Sequence, residues 1–240
     1  SDVYKRQNNG GHSFFVPIRL TEENSFRRLD NRIEIIYWLI YGVLIFIILF
    51  NVYLYWITND KVNLYYFLYV FFATITLFAY DGYMYFFNPP VFFEKIKWIM
   101  PSLYIVFLLS FTQSFTSYNK KLKRFRKLLN PVKVIAVVAV VFYSFRYPFS
   151  LVADIGISLL ILASLIMIII ISALAYKKEY SPSVFLLFAY LAIFLGFLIL
   201  MLKEQNLLSS NFLVENSSKF GQTIESVSYT HLTLPTKRIV

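Results

Sequence analysis

An all-α polytopic membrane protein, a transmembrane helix bundle with six helices present, is the fold class that this sequence predicts. Three observations predict it. Apolar residues make up 58% of the 240 and charged residues 15%, against roughly 25% charged in a soluble domain. Mean hydropathy is +0.62. Apolar runs of about 20 residues recur, the length that crosses a hydrocarbon core roughly 30 Å thick. The runs are continuous, whereas barrel strands alternate in segments of about ten, so they read as helices. Cysteine is absent, which excludes disulfides, thiolate nucleophiles and Cys-ligated metal.

The two ends differ from everything between them. The chain opens "SDVYKRQ" and closes "VSYTHLTLPTKRIV". Codons that encode residues 1–7, read on the opposite strand and one frame over, spell Val227 to Leu232. Both ends look like translated sequencing-library adapter, so residues 1–7 and 227–240 are set aside from fold reasoning as an expression tag would be. On this reading residues 8–226 are a fragment cut at both ends. Setting the ends aside removes Lys5, Arg6, Lys237 and Arg238 against Asp2, and takes the formal net charge from +10 to +7.

Six spans can be drawn, at residues 33–58, 64–85, 96–115, 128–147, 151–176 and 183–202. In the first, Trp38 and Trp56 stand 18 residues apart, about 27 Å along a helix, so one indole can sit at each interface. Pro101 falls in the first turns of the third span, where its missing N–H costs little. "SFRYPFS", with Arg146 and Pro148, breaks the chain between the fourth and fifth spans. After the sixth comes a polar loop, "KEQNLLSSNFLVENSSKFGQTIES". Ahead of the first, residues 8–32 read as the end of an extracellular β domain plus a linker, on the alternating stretch around Phe15, Pro17 and Leu20.

Basic residues set the orientation. The loop between spans three and four carries Lys120, Lys121, Lys123, Arg124, Arg126, Lys127 and Lys133. Lys61, Lys177 and Lys178 lie on the same side, while Lys95, Lys97, Arg146, Lys203 and Lys219 lie on the other. Ten against five puts the first group in the cytoplasm and the N-terminus outside, although Arg19, Arg27, Arg28 and Arg32 weigh against it. Beside a membrane span, such a cluster is a topology signal rather than a nucleic-acid site, so no nucleic-acid partner is expected.

Catalytic equipment is sparse. His12 is the one histidine outside the set-aside ends, so no span offers a His-type zinc site or a Ser–His pair. No Gly-rich phosphate loop is present. The sequence therefore predicts no enzyme, no metal and no cofactor within these residues. Polar groups inside the apolar runs are few. Asn51 lies two-thirds through the first span, and an amide in hydrocarbon needs a partner, so it reads as a tie to a neighbouring helix or as a switch. Asp81 and Asp154, at the ends of spans two and five, read as interfacial acids; Gln113 and Ser114 lie where water reaches them. No chain of acids suggests a proton relay, and no broken midpoint suggests a transporter.

The run "YWLIYGVLIFIILFNVYLYWITNDKVNLYYFLYVFFATITLFAYDGYMYFF" resembles the opening of the seven-helix module of bacterial receptors with diverse intracellular signalling modules, the 7TMR-DISM family. The resemblance rests on Gly42 and Asn51, the turn Thr58-Asn59-Asp60-Lys61, the tyrosines Tyr65, Tyr66 and Tyr69, and Gly82. "FGQTIES", with Gly221 and Glu225, is similar to the start of the family's seventh helix, and "FFVPIRL" to the closing strand of its extracellular β-sandwich. The module then spans residues 33–226 and is truncated before or in helix seven.

The resemblance implies a sensor. An outside domain binds a small-molecule or carbohydrate-like ligand, seven helices relay the change, and a C-terminal output domain of histidine kinase or cyclase type acts. Both of those domains lie beyond these residues. The expected setting is the bacterial inner membrane, multi-pass, with the lipid bilayer as partner and a homodimer within the reading. Gly42, Asn51, Asp81 and Gly82 are the candidate packing or switch residues. Two other classes stay open on sequence grounds: a small transporter or channel, and a non-signalling membrane anchor subunit.

Overall fold

Long apolar runs with few breaks can satisfy their backbone groups only internally, and they fold as helices. The computed structural model describes residues 23–86, 90–118, 126–145, 150–177, 183–205 and 207–233. The helices are α1 (Glu23–Thr58), α2 (Lys61–Tyr80), α3 (Pro90–Phe115), α4 (Leu129–Phe145), α5 (Ser150–Lys177), α6 (Ser183–Glu204) and α7 (Ser217–Thr233), with a single helical turn at Phe212–Glu215 before α7. No strand occurs among the described residues. Five helices carry segments long and apolar enough to cross a membrane: Asn31–Thr58, Lys61–Tyr80, Lys95–Phe115, Ala153–Lys177 and Ser183–Glu204. At 17 residues α4 is about 25 Å long, short of the predicted fourth span. The turn with Arg146 and Pro148, and Lys120, Lys121, Lys123 and Arg124 of the basic loop, lie outside the described residues, as does the expected β strand before residue 23.

Three stretches differ from the sequence expectation. Residues 23–32, predicted as linker, are the first turns of α1. Pro101 sits well inside α3, because that helix begins at Pro90. The polar loop predicted after the sixth span is cut short: the turn at Phe212–Glu215, capped by the Asn211 side chain accepting from Val214 N at 3.0 Å, leads directly into α7. That helix runs on to Thr233, into the segment set aside on codon grounds.

Successive helices pack on one another, and α3 also touches α5 while α7 touches both α1 and α2, which closes the bundle. Thr58 to Lys61 form the tight turn between α1 and α2. Asn59 takes φ 53°, and Asp60 caps α2 by accepting from Val62 N at 3.0 Å. The core is aromatic where α2 meets α3: Tyr66, Tyr69 and Phe111 are fully buried, with the Tyr66 and Phe111 ring centres 4.9 Å apart, edge to face. A smaller cluster of Trp98, Tyr143, Ala153 and Ile157 joins α3, α4 and α5. There the Trp98 indole donates to Asp154 at 2.8 Å, so Asp154 ties α3 to α5. Outward faces are apolar too, as a bilayer favours; on α1, Trp38 and Trp56 are exposed at opposite ends of the apolar stretch.

Helix α7 is the exception in composition. Its buried face is polar, with Ser217, Lys219, Gln222, Glu225 and Ser226, while Ile224 and Val227 face outward. It can lie against the bundle because α6 comes very close. A Cβ on Gly196 would stand 2.4 Å from the Ser217 carbonyl oxygen, and one on Gly221 would stand 2.6 Å from that of Ala192. Across this contact the Ser217 hydroxyl donates to the Gly196 carbonyl at 2.8 Å.

Candidate functional site: a buried clamp joining the first and seventh helices

Tyr37 and Tyr41 are one turn apart on α1 and therefore share a face. Asp81 is the residue at which α2 ends, and Gly82 follows with φ 81°, a conformation that glycine adopts without strain. Lys219 lies in the first turn of α7. These three elements meet at one end of the bundle. Lys219 Nζ stands 2.7 Å from Asp81 Oδ1, with both side chains about nine-tenths buried. The Tyr41 hydroxyl donates to the other carboxylate oxygen. Lys219 also donates to Asn216 Oδ1 at 2.7 Å and lies over the Tyr37 ring, 3.7 Å from its centre. Carboxylate and ammonium are thus each held by more than one partner, which a buried ion pair requires.

Further along α7 the same face carries Glu225, fully buried. Its Oε2 accepts from Tyr69 at 3.0 Å, Ser226 at 3.1 Å and Gln222 at 3.2 Å, with Tyr66 at 3.4 Å. Gln222 donates to the Tyr69 hydroxyl at 2.6 Å as well. Oε1 has no hydrogen-bond partner among the described residues. A second polar tie, a hydrogen bond shared by Thr112 and Tyr190 at 2.8 Å, links α3 to α6. Among the described residues no group of three histidines or carboxylates is placed to hold a metal.

Comparison with known proteins decides the family. The model for 7TM diverse intracellular signalling matches residues 33–230, most of the chain. The chain belongs to that family. No curated protein and no solved structure matches it. For a 7TM diverse intracellular signalling protein, the five apolar helices make it a multi-pass membrane protein of a sensory receptor family, in contact with lipid.

Of the residues singled out in this family member's sequence, Asp81 and Gly82 fall at the clamp. Gly42 does not: it is exposed on α1, and a Cβ there would meet nothing within 4 Å. Asn51 is fully buried, but its Nδ2 donates to the Ile47 carbonyl of its own helix at 2.9 Å, and its Oδ1 is unpaired. Among the described residues it forms no hydrogen bond to another helix. Asn51→Leu should therefore leave the melting temperature unchanged or raise it, because an unpaired buried acceptor costs about 1–3 kcal/mol. A fall in thermal stability of the detergent-solubilised protein would show that the amide has a partner after all. Arg126 does take part in a contact: its carbonyl accepts from Gln113 Nε2 at 3.1 Å, and Lys133 donates to Gln113 Oε1 at 2.6 Å, which ties α3 to α4. Lys127 is exposed.

The sequence reading missed the role of Lys219, which it counted only as a loop charge. A signal was present: Lys219, Gln222, Glu225 and Ser226 recur at helical spacing, so one face of that stretch is polar in a chain where polar faces are rare.

Proposed function

We propose that the chain is the relay of a bacterial transmembrane receptor, passing a signal from an extracellular ligand-binding domain to a cytoplasmic output domain of histidine kinase or cyclase type. On this reading the N-terminus is outside the inner membrane and the Asp81 end of the bundle faces outward, as the excess of basic residues around Arg126 supports. The observation that carries it is the clamp. Helix α1 lies next to any N-terminal domain and α7 leads toward the C-terminus, and the two are joined through Tyr37, Tyr41, Asp81 and Lys219. A displacement of α1 by ligand must act on Lys219, so two packings of this clamp would give two output states. No catalytic step is assigned to the bundle itself.

Tyr41→Phe tests this in the full-length receptor. It removes one hydrogen bond and leaves the ion pair, so the receptor should insert normally while its basal output and ligand response shift. Wild-type output with and without ligand would rule out relay through the clamp. The adjoining genomic sequence gives an independent check: a β domain upstream and a kinase or cyclase domain downstream are expected. Solute uptake in vesicles would instead favour a transporter.

A further inference from the structure

A cavity of about 260 Å³ opens beside the clamp, among α2, α3, α5, α6 and α7. It is roomier than a few waters need, at about 30 Å³ each, and close to the lower end of the range for small-ligand pockets, roughly 300 Å³. Much of its lining is apolar, with Ala73, Leu77, Ile161, Ile193 and Phe197, and Tyr104 and Gln222 also line it. The charged residues in its lining are Asp81, Glu204, Glu215 and Lys219, and the exposed pair of glutamates marks its mouth. Lys219 is taken up by Asp81. Glu204 and Glu215 are exposed and make no ion pair among the described residues; Glu215 accepts a hydrogen bond from Ser210. Lys203, next to Glu204 in the chain, acts on that carboxylate through space but does not line the cavity.

Two carboxylates that make no ion pair among the described residues therefore stand beside an apolar lining. We propose that this cavity is a binding site for a small organic cation with an apolar or aromatic body, its ammonium at Glu204 and Glu215 and its body between α2, α5 and α6. An anion of the same shape meets like charge at the mouth, and a neutral molecule leaves both carboxylates unanswered. Ring faces at this end already accept a cation, as Lys219 over Tyr37 shows, and Tyr80 and Tyr104 offer further rings in the lining. The ligand would also touch the core of α7. Gln222, in the cavity wall, donates to Tyr69 and Glu225, so a group that draws its amide away alters the hydrogen bonds that hold α7 to α2.

The test uses the full chain in phosphatidylcholine nanodiscs, with empty discs as the baseline. Tryptamine and 2-phenylethylamine serve as cationic probes, 3-ethylindole as the neutral one and indole-3-propionate as the anion, with binding followed by equilibrium dialysis. At least one amine should bind saturably, and the anion and neutral probe at least tenfold more weakly. The double variant Glu204→Gln, Glu215→Gln changes exposed side chains and should keep the wild-type melting temperature while losing at least tenfold in amine affinity. Failure of both amines to bind above empty discs overturns the site. So does equal binding of all probes, which marks lipid partitioning, or unchanged affinity in the double variant. Any of these results leaves the proposed relay standing, because that rests on the clamp and not on the cavity.

Discussion

Replacing Lys219 by methionine is expected to destabilise the bundle by about 3–5 kcal/mol, the usual consequence of removing one member of a buried ion pair. Asp81 would keep the Tyr41 hydroxyl but lose its only ion-pair partner among the described residues, 2.7 Å away. The converse change, Asp81→Asn, leaves an ammonium buried over Tyr37 and should cost a similar amount. The pair changed together should be far less harmful than the two single effects added, since neither charge is then left alone. Unfolding of the reconstituted chain, run as a double-mutant cycle, measures this directly; coupling energies between contacting residues reach about 0.5–3 kcal/mol. Strict additivity would mean that the two groups do not interact in the folded protein.

The second large effect is expected at the crossing of α6 and α7. Gly221→Leu and Gly196→Leu each place a side chain where backbone already stands, with the first added carbon 2.6 Å and 2.4 Å from a carbonyl oxygen. Backbone cannot step aside as a flexible side chain can. The cost should therefore reach or exceed the upper end of the about 1–3 kcal/mol usual for overpacking. Helix α7 would be pushed off α6, and Lys219 and Glu225 would lose their partners with it. Gly42→Leu is the control, because nothing lies within 4 Å of that position, and a change within about 0.5 kcal/mol is expected. Thermal unfolding in detergent separates the cases. Equal melting temperatures for the Gly42 and Gly221 variants would mean that the two helices do not approach closely.

Much of the bundle is legible in sequence because lipid imposes a simple rule. A helix whose outside is lipid is apolar all round, and the membrane-crossing segments of α1, α2, α3, α5 and α6 announce themselves by hydropathy to within about five residues, although α1 and α3 themselves begin earlier, at Glu23 and Pro90. The turn at Asn59 and Asp60 is equally readable, from polar residues between two greasy runs. Helix α7 escapes hydropathy because its surroundings are largely protein: Lys219 and Glu225 are tolerated where Asp81 and the tyrosines of α2 answer them. Asp81 reads as an ordinary interfacial acid for the same reason, since its partner is 138 positions away in the chain. Asn51 misleads in the opposite direction. A buried amide suggests a partner on another helix, yet the nearest acceptor is the carbonyl one turn back on its own.

The inward-facing polarity of α7 has a consequence for how the protein is made. Transfer of a lone charged side chain to the middle of a bilayer costs about 2.5–3.5 kcal/mol on insertion scales, and α7 carries two such groups with little apolar surface to offset them. It cannot leave the translocon as an independent segment. Its entry must wait until α1, α2 and α6 are already in place to receive it, so α7 is the last of the described helices to join the bundle. A receptor interrupted before that moment would expose Asp81 and Tyr66 to lipid and stand open to membrane proteases.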